Sequence, residues 1–233
     1  MATYKEIRGT NIEVLASDPS NPVEGQVWFN STSNVLKGLG ATTAGTWATG
    51  GTMNTARNSL GGAGTQTAAL GFGGQPPNTG ATESYNGTNW TEVNDMSARN
   101  GMGSTGTQTS AIAFAGEAPA VGGVSNFTEL WNGTNWTEVN NLNTARMKGV
   151  ANGTSTDAIA ASGNPSPAGA LTETWNGVSW VETSDLSTPR REGGASGNST
   201  AAVAFTGELF PGSLTAVTEE WNVPSNTVKV LTD

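Results

Sequence analysis

The chain has 233 residues, with 32 glycines, only 12% charged residues and a formal net charge of −9 at pH 7. It has no cysteine and no histidine, which excludes thiol nucleophiles, disulfides, zinc sites built from those residues and imidazole acid–base catalysis. So acidic a chain has no counterion-release route to phosphate backbones, and its apolar runs are short, so we expect no nucleic-acid binding, no signal peptide and no membrane insertion.

The first 52 residues contain short segments with strand character, but not the repeat that dominates the remainder of the chain. The candidate strands lie at 12–16, 26–30, 35–39 and 45–49. Trp47 lies ten residues before Arg57, which is the offset that also separates Trp136 from Arg146. We therefore predict that residues 1–52 form a divergent first copy of the repeat, with an N-terminal docking segment as the alternative.

From residue 53 onward the sequence contains four copies of a unit of about 42 to 47 residues. The copies lie at about 53–95, 96–141, 142–185 and 186–233. Each has an arginine, a glycine seven residues later and a second glycine ten residues after the first. The arginines are Arg57, Arg99, Arg146 and Arg190. A Thr-Glu pair and an aromatic residue follow, and three copies end with a further tryptophan where the fourth has Asn226.

The composition and local pattern of each copy predict strands rather than helices. Glycine, asparagine and threonine rank low in helix propensity. Segments such as 69–72 and 111–114 alternate small with larger apolar residues, as strands with two unlike faces do. The Asn-Gly pairs at 86–87, 132–133 and 176–177 favour tight hairpin turns. About four short strands per copy are typical of one blade of a β-propeller.

These repeats resemble the kelch family, in which an arginine-bearing turn leads into an inner strand, a double glycine ends the second strand, and a tyrosine and a tryptophan mark the outer strands. The resemblance covers roughly residues 53–233, and only the first copy has the double glycine, at Gly73 and Gly74. It implies an all-β fold, a small kelch-like β-propeller. The simplest arrangement has five blades, with residues 1–52 as the first. The alternative is a docking arm followed by a four-bladed ring closed by exchange of an end strand.

The N-terminal segment DPSNPVEGQVWFNSTSNVLK resembles the N-terminal sequences of virion and tail-appendage proteins of tailed phages, especially marine ones. The repeated segment WNGTNWTEVN is similar to sequences in phage structural proteins of the same kind. The resemblance implies a virion protein made in the host cytoplasm, as a tail, fibre or capsid-surface component. Its partners would be other virion proteins or further copies of itself.

The repeated charged and aromatic residues have both a functional and a structural interpretation. The four arginines either line an anion-binding pore or each clamp a glutamate of their own or the next blade, and guanidinium forks favour the clamp. Tryptophans at matching positions indicate packing between blades rather than stacking on sugars. Glycosidases need two carboxylates at a set separation, whereas the carboxylates outside the repeat are scattered. Those considered are Asp18, Asp95, Glu117, Asp157, Asp185 and Glu208, which lie outside the repeated Thr-Glu pairs. We expect no enzyme, no catalytic residue, no metal and no cofactor.

Nearly all length variation between the copies falls in one loop per copy, at 75–82, 117–127, 164–171 and 208–217. Insertions that map to one face of a repeat array often mark its binding face, although drift of unconstrained loops explains them equally well. We take these loops as the candidate partner-binding surface and expect their apolar residues to be exposed. The candidate residues are Gln75, Asn78, Glu117, Val121, Asn164, Glu208, Leu209 and Phe210.

These features together predict a non-enzymatic structural or interaction protein that presents loops from a rigid propeller. The competing hypothesis is a lectin-like module that recognises a host surface glycan. The two hypotheses differ in the partner that meets the loops, which is a protein in the first and a carbohydrate in the second.

Overall fold

The computed structural model describes residues 12–23, 25–39, 45–165 and 169–223, and the chain divides into two compact units, Met1–Thr49 and Gly50–Asp233. Within the described residues the regular structure consists of strands, apart from one 3-10 helix of three residues, Pro119–Val121. The all-β fold class is therefore confirmed. In the same residues no helix has the length and apolar character needed to cross a membrane.

The described residues of the unit Met1–Thr49 form three strands, β1 (Glu13–Leu15), β2 (Val27–Asn30) and β3 (Val35–Gly38). In its sheet β2 lies between β1, to which it is parallel, and β3, to which it is antiparallel. Three of the four strands predicted in this region are confirmed. The fourth, at 45–49, was wrong: those residues form no strand, and Trp47 is fully exposed.

Asp18 ties β2 and β3 together by hydrogen bonds and an ion pair. Its carboxylate pairs with Lys37 Nζ at 2.7 Å and accepts hydrogen bonds from Asn30 Nδ2 at 2.8 Å and Trp28 Nε1 at 3.1 Å. These interactions, with that of Lys37 the largest, lower the pKa of Asp18 to about 2. The parallel pair distinguishes this sheet from those described next, and the fifth blade at residues 1–52 stays a prediction.

The unit Gly50–Asp233 contains the remaining strands, which we number in chain order. They are β4 (Gly61–Thr65), β5 (Ala68–Phe72), β6 (Thr82–Tyr85), β7 (Trp90–Val93), β8 (Gly103–Thr107), β9 (Ser110–Phe114), β10 (Glu117–Ala118), β11 (Gly123–Val124), β12 (Thr128–Trp131), β13 (Trp136–Glu138), β14 (Val150–Gly153), β15 (Ala158–Ala161), β16 (Thr172–Trp175), β17 (Trp180–Glu182), β18 (Arg190–Arg191), β19 (Gly194–Gly197), β20 (Ala201–Phe205), β21 (Glu208–Leu209) and β22 (Thr218–Asn222).

Each copy of the repeat forms one antiparallel sheet whose strands follow the chain order. Sheet 1 is β4-β5-β6-β7, sheet 2 is β8-β9-β12-β13, sheet 3 is β14-β15-β16-β17 and sheet 4 is β19-β20-β22. Two short ribbons, β10-β11 and β18-β21, lie outside these sheets. Four strands per copy are thus confirmed for sheets 1 to 3. In the fourth copy, residues 224–233, which follow the third strand, are outside the described residues.

The sheets pack against one another in sequence order, with the first strands β4, β8, β14 and β19 side by side. The second strand of each sheet carries large apolar side chains on one surface and small ones on the other, so that large residues of one sheet meet small residues of the next. Leu70 and Phe72 of sheet 1 pack on Ala111, Ala113 and Trp131 of sheet 2. Sheets 2 and 3 repeat the arrangement with Ile112, Phe114, Ala158, Ala160 and Trp175. The core therefore consists of layers between sheets.

Phenylalanine, glycine and tryptophan complete the first two layers. Phe72 meets Trp136 edge-to-face at 4.8 Å between ring centroids, and Phe114 meets Trp180 at 4.7 Å. Each phenylalanine ring also covers the glycine paired with it on the first strand, because a Cβ at Gly61 or Gly103 would lie 2.4 Å from that ring. A larger residue at these two positions would displace the ring.

The Asn-Gly turns form hairpins as predicted. They connect β6 to β7, β12 to β13 and β16 to β17. In each turn the asparagine Oδ1 accepts hydrogen bonds from the backbone N–H groups two and three residues later, for example Asn86 from Thr88 at 3.0 Å and from Asn89 at 2.9 Å. The following glycine has φ near +91°, as at Gly87, a conformation that glycine adopts without a steric penalty.

Candidate functional site

Each repeated arginine pairs with the glutamate on the third strand of its own sheet. Arg57 Nη1 lies 2.6 Å from Glu83 Oε1, and Arg99 Nη2 lies 2.9 Å from Glu129 Oε2. The two later pairs are Arg146 with Glu173 and Arg190 with Glu219. The clamp prediction is therefore confirmed, and the partner belongs to the same sheet rather than the next one.

The same glutamates also bind the backbone that leads into each sheet. Asn54 N donates to Glu83 Oε2 at 2.7 Å, and Asn143 N donates to Glu173 Oε2 at 2.8 Å. Burial lowers the pKa of Arg146, while the charge of Glu173 opposes this effect. Because these guanidinium groups are buried and engaged by carboxylates and carbonyls, they do not form an anion-binding pore.

The repeated tryptophans pack between strands and sheets, as predicted. Trp131, Trp175 and Trp180 are buried, and Trp136 and Trp221 are half-buried. Their indole N–H groups are satisfied inside the fold. Trp136 Nε1 donates to Thr82 Oγ1 of the preceding sheet at 3.1 Å, and Trp180 Nε1 donates to Thr128 Oγ1 at 3.0 Å. These rings are structural, so they are not a row of stacking platforms for sugars.

The four variable loops begin at equivalent places in the four sheets. The first residue of each loop pairs with the residue that follows the repeated arginine: Gln75 with Asn58, Glu117 with Asn100, Asn164 with Met147, and Glu208 with Arg191. Because the four sheets are stacked copies, these pairings place the loops along a common edge of the array. We call the four loops together the loop face.

Neighbouring loops on the loop face are also joined by side chains. Asn100 Nδ2 donates to Asn78 Oδ1 of the first loop at 2.8 Å and to Glu117 Oε2 of the second at 3.4 Å. Arg191 repeats this role further along, where it donates to Asn164 Oδ1 at 3.2 Å and pairs with Glu208 at 2.8 Å. The hydrogen bond from Arg191 is the largest effect that lowers the pKa of Glu208. The structure therefore brings together Asn78 with Glu117, and Asn164 with Glu208.

The apolar candidates on the loop face differ in exposure. Val121, at the end of the 3-10 helix in the second loop, is 53% exposed. Leu209 and Phe210 are half-buried, so the expectation that their side chains are exposed was wrong. Leu209 is paired with Arg190 in the β18-β21 ribbon, and the ring of Phe210 lies 5.3 Å from the guanidinium carbon of Arg191 and against Gly169.

A shallow depression of about 320 Å³ lies where the four sheets meet, beside the loop starts. Two residues of each copy line it: Ser59, Leu60, Gly101, Met102, Lys148, Gly149, Glu192 and Gly193. Backbone hydrogen bonds connect the copies here, from Gly101 N to Ser59 O, from Lys148 N to Gly101 O and from Glu192 N to Lys148 O. Lys148 also pairs with Glu192. The wall is mostly backbone and small or paired side chains, which offers little for specific binding.

The scattered carboxylates serve turns and ion pairs. Asp95 Oδ1 accepts a hydrogen bond from Thr82 N at 3.0 Å, and Asp185 Oδ1 accepts one from Thr172 N at 3.1 Å. Throughout the part of the chain that the structure describes, no group of three or more acidic side chains is placed to hold a metal ion. Asp18, Glu117 and Glu208 have the partners given above, and Asp185 lines a cavity between sheets 3 and 4 together with Glu219 and Glu220.

Sequence reasoning missed Asn100 and Arg191, which join the loops to one another. A signal was present, because each residue directly follows a repeated arginine and therefore lies opposite the start of a variable loop. Its importance depends on contact between consecutive loops, which the spacing of residues along the chain does not show. No protein-family model and no curated protein matches the chain.

Proposed function

We propose that the four sheets are successive blades of a kelch-like propeller, and that the chain is a non-enzymatic structural protein that presents its loop face to a partner. The observation that carries this proposal is the pair of bridges made by Asn100 and Arg191, which hold variable loops against one another on a repeated frame. Loops fixed in this way meet a partner with little loss of conformational entropy on binding.

The frame itself uses the charged and aromatic residues that an active site would need. The arginine side chains and three of their glutamates are buried and paired within the sheets, and Trp131, Trp175 and Trp180 are buried there as well. Variation in length and sequence is left to the loops, in keeping with the general tendency of scaffolds to carry function on connecting segments. Because the sheets use these residues for packing and the loops carry the variation, the arrangement supports presentation of the loop face to a partner rather than catalysis.

We place this presentation on a virion, as a tail, fibre or capsid-surface component, because residues 18–37 resemble the starts of such phage proteins. The test uses particles produced from the genome that encodes the chain, purified by density gradient. We expect mass spectrometry to find the chain in the particles, and an antibody against loop 117–127 to label intact particles. Absence of the chain from the particles would contradict the virion assignment.

A lectin-like function is the second candidate, and Phe210 is the observation that favours it. Its half-buried ring lies beside the guanidinium of Arg191, which in turn binds Glu208 and Asn164, and sugar sites combine an aromatic face with planar polar groups. A glycan array tests this function with the full chain and Phe210→Ala. The matched control is Val181→Ala on β17, where the side chain is 50% exposed away from the loops. If the wild type binds one glycan, and Phe210→Ala abolishes this binding while Val181→Ala does not, the function is glycan recognition rather than presentation to a protein.

A further inference from the structure

Among the described residues of Gly50–Asp233 the sheets pack in the order 1, 2, 3, 4, so sheets 1 and 4 each have one neighbouring sheet whereas sheets 2 and 3 each have two. We define the leading face as the surface of sheet 1 turned away from sheet 2, and the trailing face as the surface of sheet 4 turned away from sheet 3. At the two complete junctions, sheet 1 with 2 and sheet 2 with 3, the earlier sheet contributes a phenylalanine and a threonine. The later sheet contributes a tryptophan and two small residues.

The trailing face carries the phenylalanine and the threonine without their partner. The ring of Phe205 covers Gly194 as Phe72 covers Gly61, because a Cβ at Gly194 would lie 2.4 Å from it. Phe205 is nevertheless 37% exposed, whereas Phe72 is 0% and Phe114 is 2% exposed. Thr218 is exposed as well, although its counterparts Thr82 and Thr128 are fully buried beneath a tryptophan of the next sheet.

The leading face carries the complementary set. Trp90 occupies the position of Trp136 and Trp180, and lies beside Gly71 together with Met53 and Leu60. Leu60 is 37% exposed and Gln66 is exposed. At the first junction the counterpart of Gln66, Gln108, reaches the preceding sheet and donates to Ala69 O at 3.2 Å and to Ser84 Oγ at 3.0 Å.

Backbone hydrogen bonds between consecutive copies show the same difference between the inner junctions and the two outer faces. At each junction the second glycine of one copy donates its N–H to the carbonyl of the next arginine, from Gly74 to Arg99 at 2.9 Å, from Gly116 to Arg146 at 2.8 Å and from Gly163 to Arg190 at 3.0 Å. Within the described residues Gly207 N and Arg57 O make no such bond. Gly207 N and Arg57 O are therefore the donor and the acceptor that the same bond between two copies would use.

We propose that the trailing face binds the leading face of a second copy of this chain, head to tail, so that the copies continue the stack of sheets. Phe205 would pack on the partner copy's Trp90, and Thr218 would accept from that indole. Such a heterologous contact closes into a ring or continues as a filament, because both faces differ and each copy has one of each. The proposal goes beyond presentation by the loop face, and it takes the four sheets as an open series that further copies extend, in place of the closed ring within one chain expected from the sequence.

The absence of cysteine makes crosslinking a specific test. At the junction of sheets 2 and 3 the Oγ atoms of Ser110 and Ser155 are 2.7 Å apart, and the counterparts of these residues at the two free ends are Ala201 and Gln66. We prepare full-length Gln66→Cys and Ala201→Cys, mix them and oxidise. We expect a disulfide-linked pair of chains from the mixture and little from either variant alone, because the contact joins unlike faces.

The double variant Gln66→Cys/Ala201→Cys separates contact between copies from closure within one chain. Ladders of two or more linked chains support the proposal, and an internally linked monomer contradicts it. The variant Ser110→Cys/Ser155→Cys is the matched control, since its disulfide should form within each chain whatever the assembly state. If this control links and the mixture of single variants does not, the proposal is wrong.

Light scattering after size-exclusion chromatography provides an independent measurement. We expect wild type at a multiple of the 23.7 kDa chain mass, monomers for Phe205→Arg and for Leu60→Arg, and a two-chain species when the two are mixed, because one intact face of each kind remains. Val181→Arg, on the exposed surface of β17, should assemble as wild type does. A monomeric wild type contradicts the proposal. So does an assembly that Phe205→Arg disrupts and Leu60→Arg does not.

Discussion

The junction between sheets 2 and 3 and the junction between sheets 3 and 4 are built from the same repeat, but they are packed differently. In the first, Phe114 covers Gly103 and meets Trp180. In the second, Val150 and Ala161 stand at the paired positions of that glycine and phenylalanine, and a cavity of about 150 Å³ remains between the sheets. The cavity is lined by residues that include Ile159, Ala161, Ala204 and Trp221.

The difference shows that the glycine and the phenylalanine act as one unit. The phenylalanine ring fits only where the paired residue on the first strand is a glycine, which has no side chain. In sheet 3, where alanine replaces the phenylalanine, a valine replaces the glycine and fills part of the volume of the ring. Because the exchange conserves volume only in part, the second junction is the looser one. The fourth sheet, beyond this junction, also has the more exposed clamp, since the side chain of Glu219 is 20% exposed and that of Glu173 is 1% exposed.

The largest expected effect comes from removing a clamp arginine on either side of the loose junction. Arg146→Met leaves Glu173 as an unpaired buried charge and should lower the free energy of unfolding by about 3 to 5 kcal/mol. Arg190→Met should lower it by less, because water reaches Glu219. Urea unfolding followed by tryptophan fluorescence measures both. Equal losses would show that exposure of the glutamate does not matter.

Truncating the phenylalanine compares a complete layer with an open end. Phe114→Ala should destabilise the chain by about 3 to 5 kcal/mol, because it empties a buried site against Trp180. Phe205→Ala should have a clearly smaller effect when it is measured in the Leu60→Arg background, which we expect to be monomeric. In a single chain the side chain of Phe205 is already 37% exposed, so its truncation removes less buried area. Thermal unfolding of the two variants gives the comparison, and similar losses would contradict it.

Restoring the missing ring tests the idea of a unit directly. Ala161→Phe alone should destabilise the chain by about 1 to 3 kcal/mol through overpacking against Val150. Val150→Gly added to it should recover most of that loss, so that the double-mutant cycle shows strong coupling. Val181→Gly, on an exposed part of β17, serves as the control for the added glycine. Additive effects would show that the two positions are independent.

The smallest effect concerns acid stability of the fourth sheet. Burial raises the pKa of Glu219, but hydrogen bonds from Ser187 and the charge of Arg190 lower it overall, to below its ordinary value of 4.5. Its contribution is therefore complete above pH 4.5 and is lost as the pH falls through the lower value of the folded state. The unfolding midpoints of wild type and Glu219→Gln should converge below pH 4.5. A gap that stays constant with pH would contradict this cause.

Much of the scaffold followed from local patterns. The strands of sheets 1 to 3, the Asn-Gly hairpins and the residues of the clamp were predictable, because alternation, turn chemistry and repetition act over a few residues or recur in every copy. The strand at 45–49 was not formed, since strand character in a short sequence does not itself provide a neighbouring strand for the backbone to pair with. On the loop face the positions were predictable, but the half-buried state of Phe210 was not, because Arg191 and Gly169 lie 19 or more residues away in sequence.

The amino-acid sequence alone determined the register of the repeat, its four copies from residue 53 onward and the residue types that form the clamps and the hairpin turns. These depend on spacing and on residue chemistry that four copies display side by side. Only the tertiary structure decided that each glutamate serves its own sheet, that Asn100 and Arg191 join consecutive loops, and that Phe205 and Trp90 lie on the two outer sheets of the described series. These features depend on which surfaces meet across some 40 residues of chain, and a surface left over after packing is not marked in the sequence.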